Sequence, residues 1–267
     1  MPWQPIGDTR FYYELHGSGS PLVLLHGLQG DSSNFGDLVP GLALHHRVLV
    51  FDQRGSGWSD KPAGNYSMAL LADDTAALME ALGLDRAHVF GVSMGGMVAQ
   101  ELALHHPARM RSLILGCTSA CGPAGVALDG APRDSAYELA PISGEERARR
   151  LAAAGFSAQF LREHPDMVER LAQARRRRPL DIDALARRRR ALERHDTLAR
   201  LDRIRVPALI LRGLQDAIVA PENSRRLAAR IPDARLETLS GAGHLFWMEC
   251  PDQTLAHVLG FLAEHGD

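Results

Sequence analysis

Lysine is almost missing from this chain: Lys61 is the only one, and arginine supplies the remainder of its 30 basic residues. We read this first as coding bias. Net charge is lacking as well, because 32 acidic residues leave a balance of -2. Nothing therefore draws the chain towards nucleic acid, and no groove-reading motif occurs. Cys117, Cys121 and Cys250 form neither an even disulfide set nor a repeated C-x-x-C pattern, so a reducing, cytoplasmic setting is expected. No apolar run reaches membrane-spanning length, and Met1 to Pro5 lacks the basic and apolar regions of a signal peptide. No membrane partner is expected. The histidines show no H-E-x-x-H or similar spacing, so neither a metal nor an organic cofactor is expected. Repeats and low-complexity linkers are missing too, and the sequence sets no oligomeric state.

What is present is an ordinary globular balance, 45% hydrophobic and 23% charged over 267 residues, enough for one sizeable core. Short apolar, β-prone runs stand at Pro21–His26, Arg47–Asp52, Ala87–Gly91, Met110–Leu115 and Pro207–Arg212, with a further strand over Ala234–Leu239. Runs apolar throughout suit parallel strands buried on both faces. Helix-period segments lie between them, the clearest being Ser67–Leu82, capped by Ser67 and ended by Gly83, and Met94–His105. Strand alternating with helix predicts an α/β fold with a mostly parallel central sheet and flanking helices.

The strand pattern stops between residues 121 and 204, where the chain becomes arginine-rich. Helices are expected at Ala148–Phe156, Pro165–Ala174 and Ile182–Leu201. Residues 1–120 and 205–267 then form the core, and 121–204 an inserted helical lid over the carboxyl edge of the sheet, where such sheets bind ligands.

Gly91-Val92-Ser93-Met94-Gly95 matches G-x-S-x-G, a strand-to-helix turn that exposes its serine. With 25 glycines in the chain, chance alone supplies roughly 0.1 such matches, so the context decides. Here a strand precedes Ser93 and a helix follows it. A serine hydroxyl becomes a nucleophile only when a base takes its proton, and that base needs an acid to hold its tautomer. Asp216 follows the strand Pro207–Arg212, and His244 sits in the Gly241–His244 loop after Ala234–Leu239. All three stand at carboxyl ends of strands, in the order Ser, Asp, His.

With these motifs the chain resembles the α/β-hydrolase superfamily, small serine esterases and enol-lactonases in particular. The likeness rests on His26-Gly27 after the first buried strand, Asp52-Gln53-Arg54-Gly55-Ser56-Gly57-Trp58-Ser59, the serine turn, Gly213–Asp216, and Gly243-His244 through Pro251. It implies an oxyanion hole made by the backbone N–H groups of Leu28 and Met94, with His26, Asp52 and Arg54 shaping loops. Hydrolysis of a small carboxylic ester or lactone through an acyl-enzyme on Ser93 is the implied activity. Thioester, carbon–carbon or cofactor-free perhydrolytic chemistry at the same residues, or a hydrolase-like receptor, are the alternatives.

Phe156, Phe160 and Leu245 are candidates to line the substrate pocket. The arginine runs Arg175–Arg178 and Arg187–Arg190 read most simply as solvated helix faces. Four consecutive helical residues nevertheless sweep about 300°, so one of Arg187–Arg190 is a candidate to turn inward and meet a substrate carboxylate.

Overall fold

A computed structural model of the protein describes residues 3–122 and 142–266. Its eight strands are β1 (Trp3–Ile6), β2 (Thr9–His16), β3 (Ser20–Leu25), β4 (His46–Phe51), β5 (Ala87–Val92), β6 (Met110–Gly116), β7 (Ala208–Gly213) and β8 (Ala234–Leu239). They form one sheet in the order β1-β2-β4-β3-β5-β6-β7-β8. From β4 to β8 all neighbours are parallel, whereas β1–β2 and β2–β4 are antiparallel. The chain leaves β3 for β4 on one side and returns to β5 on the other. The carboxyl ends of β3 and β5 thus flank a topological switch point, where an open α/β sheet leaves a crevice.

The helices are α1 (Val39–Leu42), α2 (Met68–Ala81), α3 (Met94–His105), α4 (Gly144–Gly155), α5 (Ala158–Glu163), α6 (Met167–Arg177), α7 (Ile182–Glu193), α8 (Glu222–Arg230), α9 (Phe246–Glu249) and α10 (Pro251–Glu264). Alternation along the strands divides the core between the two faces of the sheet. Val23, Leu25, Val89, Leu113 and Ile210 pack with Leu71, Met79 and Val98 of α2 and α3. Leu22, Leu24, Phe90, Ile114 and Leu209 pack with Phe246, Val258 and Phe261 of α9 and α10. The Ser67 side chain caps α2 through Leu70 N–H, and Gly83 follows its end at φ 66°, the left-handed stop expected of glycine.

Helices α4 to α7 are the insertion between β6 and β7; its segment 123–141 lies outside the described residues. The single helix expected over Ile182–Leu201 is corrected by the structure. It ends at Glu193, because Asp196 bridges back to Cys121, and Thr197 N–H donates to Ala120 O at 2.8 Å. A continuous helix could not make these returns. Among the described residues no helix is long and apolar enough to cross a membrane.

Candidate active site

Ser93 leaves β5 with φ 53° and ψ -122° and precedes the first turn of α3. So tight a turn leaves no room for side chains around it. A Cβ on Gly91 would lie 2.3 Å from Gly95 O, and one on Gly95 would lie 2.0 Å from Leu25 O, both backbone clashes. Gly96 packs on Thr118, whose hydroxyl donates to Ser93 O at 2.7 Å, while Ser93 N–H donates to Gly116 O at 2.8 Å. These bonds hold a backbone conformation that costs a residue with a Cβ about 1–3 kcal/mol. Met94 opens α3, so its N–H falls among those that an α-helix leaves without an internal acceptor.

Asp216 and His244 are joined by a 2.8 Å bond between Oδ2 and Nδ1, both side chains being buried. The other carboxylate oxygen, Oδ1, accepts from Ile218 N–H and Val219 N–H at 2.8 Å each. With the acid so fixed, His244 carries its proton on Nδ1 and presents Nε2 as the acceptor. Gly213 allows the two turns to touch, since a Cβ there would stand 2.1 Å from Gly243 O. The histidine loop is also tied to the insertion. Leu245 N–H donates to Gly155 O at 2.9 Å, and Glu249 Oε1 accepts from Gly243 N–H at 2.8 Å and from Ser157 N–H at 3.1 Å.

Ser93 and His244 face one pocket with Gly27, Leu28, Leu151, Leu245 and Trp247, enclosing about 340 Å³ of empty space including its mouth. Of the three pocket residues predicted, only Leu245 lines it. Phe156 and Phe160 stack on each other, ring centroids 4.8 Å apart, and pack into the core instead. The chain leaves the α4 helix at Phe156 in an extended conformation, and the insertion presents Leu151 to the pocket.

Sequence reasoning passed over Cys117, which is buried at φ 43° with its Sγ in a group with donor atoms of Asp216 and His244, all within 4.8 Å of one another. Burial pushes its thiol pKa up, keeping it protonated. Its place just past the end of β6 was the available signal.

His26, Asp52 and Arg54 shape the surrounding loops. Burial, reinforced by the Arg188 cation, pushes the His26 pKa down to about 3. The ring is therefore neutral, accepting Gln53 N–H at Nε2 and donating from Nδ1 to Gly27 O at 2.9 Å. Asp52 accepts Ser32 N–H and Trp58 N–H at 2.7 Å each, and Arg54 grips Asp74 with two bonds of 2.7 and 2.8 Å.

The reading of both arginine runs as solvated faces is corrected. Arg188 is 1% exposed, on the α7 stripe with Ala184, Leu185 and Ala191, while Arg190 stays outside. These positions fall at i, i+1, i+4 and i+7, each three or four residues from another, which is the inward face of a helix. Its Nη2 donates to Gly27 O at 3.0 Å. Arg175 donates to Gln29 O, and Arg178 to Asp31 and Ser32 at 3.2 and 3.0 Å. Burial lowers the Arg188 pKa to about 10, which still leaves it charged at neutral pH.

A family model described as alpha/beta hydrolase fold matches residues 20–251. The chain belongs to the α/β-hydrolase fold family. This α/β-hydrolase is 31% identical to a protein of Azorhizobium caulinodans provisionally named carbamate hydrolase RutD, over 99% of each chain. It is also 31% identical to 3-oxoadipate enol-lactonase 2 of Acinetobacter baylyi, covering 79% of this chain and 76% of that one. Among solved structures, the enol-lactonase from Burkholderia xenovorans LB400 superposes with a TM-score of 0.87 at 28% identity, over 98% of this α/β-hydrolase and 100% of the lactonase.

Proposed function

We propose that this α/β-hydrolase cleaves a small carboxylic ester or lactone. Ser93 attacks the carbonyl as His244 takes its proton. Asp216 holds the imidazole and stabilises the imidazolium that forms. The N–H groups of Leu28 and Met94 receive the oxyanion, the latter with the favourable charge of a helix N-terminus. His244 then returns the proton to the leaving alkoxide, and water activated by the same base releases the acyl group from Ser93. In a lactone the alkoxide stays attached to the acyl chain, so one hydroxy acid leaves. The observation that carries this reading is the shared pocket: a strained serine and a carboxylate-anchored histidine line the same space. The residues that close in on it, Leu28, Leu151, Leu245 and Trp247, leave a narrow and mostly apolar space, which favours small acyl groups. The helices between β6 and β7 act as the lid. The three cysteines are free, in keeping with the reducing, cytoplasmic setting we propose.

Similarity to the RutD protein supports a second reading, hydrolysis of a carbamate by the same serine. One experiment tests both: the protein and its Ser93→Ala variant are assayed on short-chain esters, five- and six-membered lactones and simple carbamates, with a fluorophosphonate to mark the nucleophile. Turnover with labelling of Ser93, lost together in Ser93→Ala, is expected. Equal turnover by the variant, or an unlabelled Ser93, refutes the mechanism, and the preferred panel member decides between ester, lactone and carbamate.

A further inference from the structure

Arg188 places a full positive charge in the interior, and among the described residues no carboxylate lies within ion-pair distance of it; its Nε has no acceptor either. Asp52 and Asp31 favour its charge only from a distance, and a buried cation without a direct ion-pair partner is costly to keep. Its one strong donation goes to Gly27 O at 3.0 Å, an oxygen that also receives His26 Nδ1–H at 2.9 Å and Gly30 N–H at 3.1 Å. Arg188 Nη2 also approaches His26 Nδ1 at 3.4 Å, but both are donors and the carbonyl oxygen is what they share.

That carbonyl belongs to the same planar peptide unit as the N–H of Leu28. No peptide in the described chain is cis, so the C=O and N–H of this unit point in opposite directions. Fixing the oxygen on Arg188 therefore aims the Leu28 N–H to the other side of the unit. The peptide stands close to the nucleophile, since a Cβ on Gly27 would lie 3.3 Å from Ser93 Cβ. Donation from a cation to an amide oxygen also draws electron density from the amide nitrogen and makes its N–H a stronger donor. Arg175, on Gln29 O, anchors the following stretch of the loop from the same insertion.

We infer that Arg188 is a positioning residue for hydrolysis: from the helical insertion it orients and polarises the Gly27–Leu28 peptide, so that Leu28 N–H completes the oxyanion hole only when α7 is docked. This inference rests on the proposed serine mechanism. Its roles are separable from substrate binding, because the interaction gains strength as the carbonyl oxygen becomes negative.

The test uses the full chain with Arg188→Ala and Arg188→Lys, a neutral ester matched with a carboxylate-bearing one, and an alkyl boronic acid that forms a tetrahedral adduct with Ser93. For Arg188→Ala, kcat is expected to fall about 10–100-fold on both esters, below the full loss of an oxyanion donor, with KM little changed. Boronate affinity falls in step with kcat/KM, and methylguanidinium restores part of kcat. Arg188→Lys keeps the charge but loses the reach, and falls between. Should Arg188→Ala not fold, the wild-type amide spectrum suffices: the boronate moves the Leu28 N–H downfield, and in Arg188→Lys that shift shrinks. An unchanged kcat, an unchanged boronate affinity, a Leu28 resonance that does not respond, or a loss confined to the carboxylate-bearing ester each overturns the inference. In those cases Ser93 still labels with fluorophosphonate. If Ser93 does not label even in the wild type, the mechanism and the inference fall together.

Discussion

Replacing Ser93 by glycine and by alanine separates the strain of the turn from its chemistry. Both variants lose the hydroxyl, but only alanine keeps a Cβ at φ 53°. On an unstrained backbone, glycine is the less stable of the two, by about 0.5–1 kcal/mol of chain entropy plus about 0.8 kcal/mol for a buried methyl-sized group. That shortfall of about 1.5 kcal/mol corresponds to about 3–6 °C in Tm for a chain of this size. Relief of about 1–3 kcal/mol of backbone strain offsets it. The bonds from Ser93 N–H to Gly116 O and from Thr118 to Ser93 O remain in both variants, so they cancel. Ser93→Gly is therefore expected to lie between about 0.5 kcal/mol below and about 1.5 kcal/mol above Ser93→Ala, well clear of the full shortfall. Urea midpoints and scanning calorimetry measure the difference directly. A Ser93→Gly protein melting 3–6 °C below Ser93→Ala would show that the turn stores no strain.

Asp216→Asn should reduce kcat about 10³–10⁴-fold with little change in Tm, since the amide oxygen still accepts Ile218 and Val219 N–H while its NH₂ forces the wrong tautomer on His244; a loss under about tenfold refutes the orienting role. Stability should fall on acidification. Burial holds His26 down to about 3 and His88 down to about 4, so both stay neutral when folded, whereas unfolded histidines protonate near 6.5. Their contribution is complete above that unfolded value and is progressively lost as pH drops towards the folded values, so the urea midpoint should fall steadily below pH 6.5. Urea midpoints that stay level from pH 6.5 to pH 5 would contradict it. Gly95→Ala drives a Cβ onto Leu25 O and should cost about 3 kcal/mol or more. Gly260→Ala, exposed within α10 with nothing within 4 Å, should instead gain about 0.5–1 kcal/mol, which denaturant titration of both variants will rank.

The central strands were readable because burial on both faces turns a strand into an unbroken apolar word, as in Leu22–Leu25. β1 and β2 escaped the same reading. They form the antiparallel edge, their residues mostly half-covered or exposed, and Thr9–His16 carries Arg10, Glu14 and His16 among its aromatics. The positions of Ser93, Asp216 and His244 were legible because glycines and strand ends mark the turns that hold them. The pocket wall was not, because side-chain size does not say whether Phe156 meets substrate or Phe160. The inward arginine was half legible. Helical geometry requires one of Arg187–Arg190 to turn in, and Ala184, Leu185 and Ala191 select Arg188. What it grips is the carbonyl of a residue 161 positions away, a tertiary contact that no local pattern encodes.

The short ladder at the base of the insertion brings Ala120–Gly122 against His195–Thr197 through Gly122 N–H to His195 O, at 2.9 Å, and Thr197 N–H to Ala120 O, at 2.8 Å. Entrance and exit of the cap are thus one strand-spacing apart, on a scaffold whose other strands are all paired outside it. Such a clasp makes the cap a cassette. A segment of different length and chemistry could be spliced between the same two points without altering the register of β6 and β7, leaving the serine turn intact while changing what reaches it.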